Sequence, residues 1–438
     1  MSASIQPGDA EQTTSQITAT EGAADEKVYR AQFWLAYVAN FALVAANSLM
    51  YRFAELVAFL GGSEQAAGAI VGTGFAAVLF VRLYLGQGID RYGVRTAWVI
   101  STLLFIAGSA SLLFCHKVSV GIYVARTLYS IGMSGMLTCS VVHVQDLVPP
   151  HRRTEAIGIL GTSGFLAMIV GANLGDGIFA IFPLGYTRFA VLSGTVAGLG
   201  VCYLALVLFF MRGHVHVRPP NSPSAIKLLI HYWPGTVVAV AITVGMGFSL
   251  TTVFLTRFAT ERHIPGIRTF FTIYAIVALT FRLPGTRWAR TIGRHLTIVL
   301  GLTGNAIGCL LLPLVSHDWQ FVFPAVACGF GHALLYPAVV SLGAGTFPRR
   351  YRGLGTTLVL GLIEFGTAIS PPVLGSIIDH WGFDKMFDLA ALMVFCVILY
   401  YALTKARQPD SDNDPEPEVL LDEPEMVAVP LTDSPAVR

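Results

Sequence analysis

Residues 82–95 read RLYLGQGIDRYGVR, a polar, mostly basic junction between two long apolar runs. Its skeleton is Gly86, Asp90, Arg91, Gly93 and Arg95, and it reads as a tight turn. Two hundred residues later, positions 282–295 read RLPGTRWARTIGRH. Arg82 falls on Arg282, Leu83 on Leu283 and Gly93 on Gly293, while Asp90 falls on Arg290, so the copy lacks the acid. A junction repeated at nearly half the chain length implies a duplicated body.

The composition says where that body sits. Of 438 residues, 54% are hydrophobic and only 12% charged, against about a quarter charged in soluble domains. Apolar runs of about 20 residues point to the bilayer as solvent. The first 30 residues hold five acids against Lys27 and Arg30, and nine acids and six prolines fill the 34 residues from Lys405. Such segments bury too little surface to offset their ordering entropy, so 1–30 and 405–438 are expected to be disordered tails. Between them, 31–404 carries 23 basic residues against 12 acids. Six cysteines stand singly in apolar runs, which suggests neither a metal site nor a disulfide framework. The polar N-terminus has no apolar core of a cleavable signal peptide.

Twelve apolar segments can be marked: 31–53, 65–85, 96–115, 119–143, 155–179, 188–211, 235–256, 267–284, 296–315, 319–343, 354–378 and 385–404. The segment 212–234, with Pro219-Pro220-Asn221-Ser222-Pro223 at its core, reads as a linker between six-helix halves 31–211 and 235–404. At an offset near 199, Ser130 falls on Gly329, Gly132 on Gly331, Pro149 on Pro348 and Arg153 on Arg352. The expected fold is an all-α membrane protein whose twelve transmembrane helices form two pseudo-symmetric bundles, with a site between them near mid-membrane. Fifteen basic residues lie on the tail side of these segments, Arg82 among them, and seven on the opposite side. The positive-inside rule then predicts both termini in the cytoplasm and a multi-pass protein of the plasma (cell inner) membrane.

With this layout the sequence resembles the major facilitator superfamily over essentially all of 31–404. Gly86, Asp90, Arg91, Gly93 and Arg95 match that superfamily's signature between helices 2 and 3. The resemblance implies a secondary transporter that moves a small solute by alternating access. It also implies a cytoplasmic gate in which Asp90 bridges to basic groups and a helix N-terminus of the other half. An anion at a helix N-terminus is favoured by about 0.3–1 kcal/mol on general grounds; the plainer reading makes Asp90 a turn residue. Asp146, with Arg152 and Arg153, closes helix 4 and reads as gate and topology, and Arg352 repeats Arg153. Arg126, Ser130 and Gly132 resemble the pattern of an intramembrane arginine followed by glycines, linked in proton-coupled relatives to proton or substrate handling. An ion pair that fixes helix packing is the alternative. Ala167, Gly171, Ala172, Gly175 and Asp176 resemble the helix 5 pattern of the antiporter branch, with Asp176 in place of its last glycine. Gly366, Ser370, Pro371, Pro372 and Gly375 form a similar run in helix 11, and both runs also read as close-packing surfaces.

Other candidates come from the residues themselves. Glu364 lies about eleven residues into helix 11 among Leu362, Ile363 and Phe365, where a carboxyl could load and release a proton, with Arg126 as a partner. A permanently paired packing group is the alternative. An unpaired charge there would cost at least about 2.5 kcal/mol. His332 and Tyr336 share one face of helix 10. Asn40 and Asn47 share one face of helix 1, lining the cavity or bonding between helices. Arg52 and Glu55 should pair or cap the extracellular mouth.

Neither a catalytic constellation nor a phosphate loop is visible, so an enzyme and an ATP-driven pump are disfavoured, and no cofactor is implied. HVQD (143–146) and GHVHV (213–217) lack metal spacing. The expectation is a monomeric, proton-coupled exporter whose partners are a small-molecule substrate, protons and the bilayer, with no nucleic acid. The rivals are a sugar or organic-anion uptake system or facilitator of the same fold and, from another class, a non-transporting membrane sensor.

Overall fold

The junction at 82–95 is helical almost throughout. Helix α2 spans Glu64–Tyr92 and α3 begins at Val94, so Gly93 alone makes the turn. The expected turn across the skeleton is thereby corrected: glycines inside a helix cost about 1 kcal/mol each but do not end it. Gly93 has φ 87 and ψ 152, and Gly293 has φ 89 and ψ 151. That backbone region is open essentially to glycine alone. The sequence repeat is therefore one turn geometry built twice.

The computed structural model describes residues 29, 31–149, 152–212, 230–348 and 352–404. Of the expected disordered tails (1–30 and 405–438) all but Tyr29, which donates to Glu155 at 2.7 Å, lie outside the described residues, as do 213–229 of the expected linker 212–234. Helix α1 (Ala31–Phe59) passes through a 3₁₀ turn at Met50–Arg52. After α2 come α3 (Val94–Ser111), α4 (Val120–Leu147), α5 (Arg153–Ile181) and α6 (Tyr186–Phe210). The second half repeats the plan with α7 (Val237–Glu261), α8 (Arg268–Thr291), α9 (Arg294–Leu311) and α10 (Val322–Gly345). A last helical stretch, Arg352–Thr404, breaks at Gly382 with φ 80, giving α11 (352–381) and α12 (383–404).

Among the described residues, ten helical stretches are long and apolar enough to cross a membrane, and the last of them, Gly355–Thr404, contains both α11 and α12. The remaining helix, α8, is not among those stretches; it carries Arg268, Arg282, Arg287 and Arg290, with Pro284 inside it. The protein is an all-helical membrane protein of two six-helix bundles, consistent with the twelve helices expected.

Small residues let the helices touch backbone to backbone. Between α2 and α11, a Cβ at Gly68 would strike the Pro371 carbonyl, one at Gly72 would lie 2.6 Å from the Ala368 oxygen, and one at Gly375 would strike Glu64. Gly366 is pressed in the same way on Ile242 of α7, and Gly171 on Ala45 of α1 at 2.6 Å. Gly175 has more room, with Arg52 Nε 3.5 Å from its Cβ position. The two bundles thus meet most closely where α2 begins and α11 ends, at the end of the molecule away from the tails.

Candidate functional site

The end away from the tails is sealed by charge. Asp379 of α11 accepts the backbone N–H groups of Glu64 and Gln65 at the start of α2, both at 2.9 Å. Asp176 of α5 accepts those of Ile267 and Arg268 at the start of α8, at 2.9 and 2.8 Å. Each carboxylate meets the donor-rich end of a helix from the other half. Arg52 donates to Asp176 and, at 2.7 Å, to Glu55. Arg257 donates to Glu64 at 2.7 Å, and Thr256 to the Tyr51 carbonyl at 3.2 Å. Asp176 is therefore more than a member of a packing run: its carboxylate ties the halves together. An acid standing where the antiporter pattern has glycine was the available signal. Asp379 was missed because nothing local sets it apart. Outside the seal lies a cavity of about 600 Å³ lined by Arg52, Glu55, Phe179, Arg188, Arg257 and His263, among others.

Just inside the seal sits Arg126, buried in α4. Its guanidinium lies 4.7 Å from the ring centres of both Phe53 and Tyr129, while Nε and Nη1 have no hydrogen-bond partner. The two ring faces offset part of the cost of its burial. The Tyr129 hydroxyl donates to Asn47 Oδ1 at 2.9 Å, and Asn40 donates to Ser163 Oγ at 2.7 Å. Both asparagines are thus engaged between helices.

Toward the tails the halves part. Gly158, Gly161 and Gly164 of α5 have no backbone pressed on them, unlike the glycines of the seal. Here Glu364 receives two hydrogen bonds from Arg82, Nε to Oε2 at 2.7 Å and Nη2 to Oε1. Arg82 Nη2 also reaches Ser134 Oγ at 3.3 Å. The side chains of Arg82 and Glu364 remain 15% and 21% exposed, so the pair lines the interface without being sealed in it. The expected partner, Arg126, is not the one found. Helices α2 and α11 run antiparallel, and each long side chain leans toward its own helix N-terminus, which brings these two together. Arg82, counted with the tail-side loop charges, lies ten residues before the end of α2, or about 15 Å along it.

Arg282 of α8 is the matching cation of the second half. Its guanidinium stands 5.8 Å from the ring centres of Phe165 and of Tyr336. His332 stacks on Tyr336 with centroids 5.8 Å apart and presents its ring to Phe165 edge-on at 5.7 Å. The face shared by His332 and Tyr336 is therefore turned toward this interface. Of the gate residues, Arg91, Arg95 and Asp146 are exposed at the tail-side end, with Arg91 5.2 Å from the Tyr92 ring centre. The side chains of Asp90, Arg153 and Arg352, and the surroundings of Gly86, lie outside what is described.

Two bundles meeting around a charged interface, closed at one end, define a membrane transporter. A sequence profile of the Major Facilitator Superfamily matches residues 33–270 and 264–433, and the chain belongs to that superfamily. It is 24% identical over 358 residues to an uncharacterized MFS-type transporter of Burkholderia mallei, covering 80% of this chain and 85% of the relative. Its fold is similar to that of a variant of the nucleoside transporter NupG, with a TM-score of 0.73 at 11% identity over 85% of this chain and 99% of the other. A POT family transporter in complex with 5-aminolevulinic acid gives 0.69 at 16% identity, over 86% and 96%. At such identities these structures speak for the fold alone.

Proposed function

We propose that the protein is a proton-coupled exporter of a small solute, acting as a monomer in the plasma (inner) membrane with both termini in the cytoplasm. Residues 31–211 and 235–404 are its two moving halves and 212–234 their linker. On this reading the interface that opens toward the tails is the cytoplasm-facing cavity, and the 600 Å³ cavity beyond the seal is the start of the outward path.

The observation that carries the reading is the Arg82–Glu364 pair. Among the described residues, Glu364 is the mid-membrane acid on the tail side of the seal, and its partner comes from the other half of the molecule. While ionised, the pair ties α2 to α11. Protonation of Glu364 removes the charge that Arg82 needs, and loosens the halves at the point where they part. Breaking such a pair by removing one charge costs about 3–5 kcal/mol in buried settings, enough to bias a two-state transporter strongly. The gate formed around Asp90, Asp146, Arg153 and Arg352 would close the tail-side end in the alternate state.

The test uses everted membrane vesicles whose interior is acidified by respiration and followed with a ΔpH-sensitive dye. An exported solute should dissipate the gradient in vesicles carrying the wild-type chain and not in those carrying Glu364→Gln. Equal dissipation by both would place proton coupling elsewhere.

A further inference from the structure

An offset of 200 residues relates three positions of the interface at once. Arg82 corresponds to Arg282, Gly361 to Gly161, and Glu364 to Gly164. The geometry follows the correspondence. Arg82 runs past Gly361, its Cδ 3.9 Å from the Cβ position there, and Arg282 runs past Gly161, its Nη2 3.8 Å from that Cβ position. On one side Glu364 completes the arrangement with a carboxylate that takes two hydrogen bonds from the arginine. On the other side the place of the acid is taken by Gly164, where a Cβ would meet nothing nearer than Val44 Cγ2 at 3.8 Å. Among the described residues no acid pairs with Arg282; its neighbours are the rings of Phe165 and Tyr336 and, against both of these rings, His332. A guanidinium in a membrane interior calls for an anion, and its planar fork takes a carboxylate in two hydrogen bonds, as Arg82 takes that of Glu364 across the related position.

We propose that Arg282 binds the carboxylate of the transported solute, at the position that mirrors the Glu364 carboxylate, with the solute body held between Phe165 and Tyr336. The substrate class is a small organic acid with a flat or apolar body that can lie on aromatic rings. This rests on the reading of the tail-side interface as the transport cavity, and not on the coupling role of Glu364. Arg126, another cation for which the described residues supply no acid, sits just inside the seal against the rings of Phe53 and Tyr129, with its Nε and Nη1 buried from solvent.

The experiment is thermal unfolding of the purified full chain in detergent, at one pH and without a gradient. Matched probes are titrated: benzoate against benzamide, phenylacetate against phenylacetamide, nicotinate against nicotinamide. A ligand of the folded state raises the melting temperature by mass action. At least one acid should bind tenfold or more tightly than its amide. Arg282→Gln should abolish that preference, and Arg282→Lys should keep part of it. Gly164→Glu, which leaves the arginine in place and supplies the missing acid from the chain, should abolish it as well. If Arg282→Gln does not fold, Gly164→Glu decides alone. The proposal is overturned if no acid outdoes its amide, or if the preference survives Gly164→Glu or a folded Arg282→Gln. A loss in Arg126→Gln with retention in Arg282→Gln also overturns it. Because no proton gradient is involved, failure here and failure of coupling through Glu364 are separate results.

Discussion

Asp176 and Asp379 perform one task from opposite halves of the molecule. Asp379 accepts the N–H groups of Glu64 and Gln65, and Asp176 those of Ile267 and Arg268. All three correspondences hold at a single offset of 203 residues. The seal at the end away from the tails is thus a symmetric pair of carboxylate-to-helix latches. Arg52 reinforces one and the Arg257–Glu64 bridge borders the other.

Each latch should bias the transporter toward the state sealed at this end. A carboxylate at a helix N-terminus is worth about 0.3–2 kcal/mol, so Asp379→Asn should shift the gate equilibrium about twofold to thirtyfold, and Asp176→Asn, which also strands the buried Arg52, should shift it further. Labelling of a cysteine placed at Thr256, with the native cysteines replaced, should rise by that order, and further in the double variant. Unchanged labelling in both single variants would leave the latches as local caps.

Arg82→Gln should destabilise the fold because it strands Glu364 without its partner, at a cost below the ~3–5 kcal/mol of a fully buried pair, since the two side chains stay 15% and 21% exposed. The double variant Arg82→Gln/Glu364→Gln removes both charges and should recover most of that loss while remaining unable to use a proton gradient. Thermal melts of the three variants supply the cycle. Additive losses would mean that the two side chains do not depend on each other.

Gate function at the tail-side end is tested by Asp90→Asn. The variant should insert and fold like wild type while turnover falls and labelling of the tail-side cavity changes. Normal transport with unaltered labelling would reduce Asp90 to a turn residue.

Orientation is checked by cysteine scanning in intact cells. Residues introduced at Ser63 and Asp318 should react with an impermeant reagent from outside, and one at Asn221, which lies outside the described residues, only after permeabilisation. The reverse pattern would invert the membrane placement.

The sequence alone determined what depends on local properties. Apolar runs of membrane length placed the helices, and the recurrence of Arg82 and Gly93 at Arg282 and Gly293 exposed the duplication. Both glycines then adopt the same turn, because a chain that must leave the α region at that point can do so cheaply only without a side chain. The helices nonetheless run further than the apolar runs, to Tyr92 and Thr291, since a charged residue changes the solvent a helix prefers without ending it. Tertiary structure decided the partners. Arg82 and Glu364 lie 282 residues apart, and whether they meet depends on the rotation of two antiparallel helices from different halves. No periodicity in either helix encodes that rotation. The same holds for Asp176, whose partners are backbone groups at the start of a helix in the other half. It holds too for Arg282, whose lack of an acid becomes visible only when Gly164 is seen in the place that Glu364 takes across the pseudo-twofold axis.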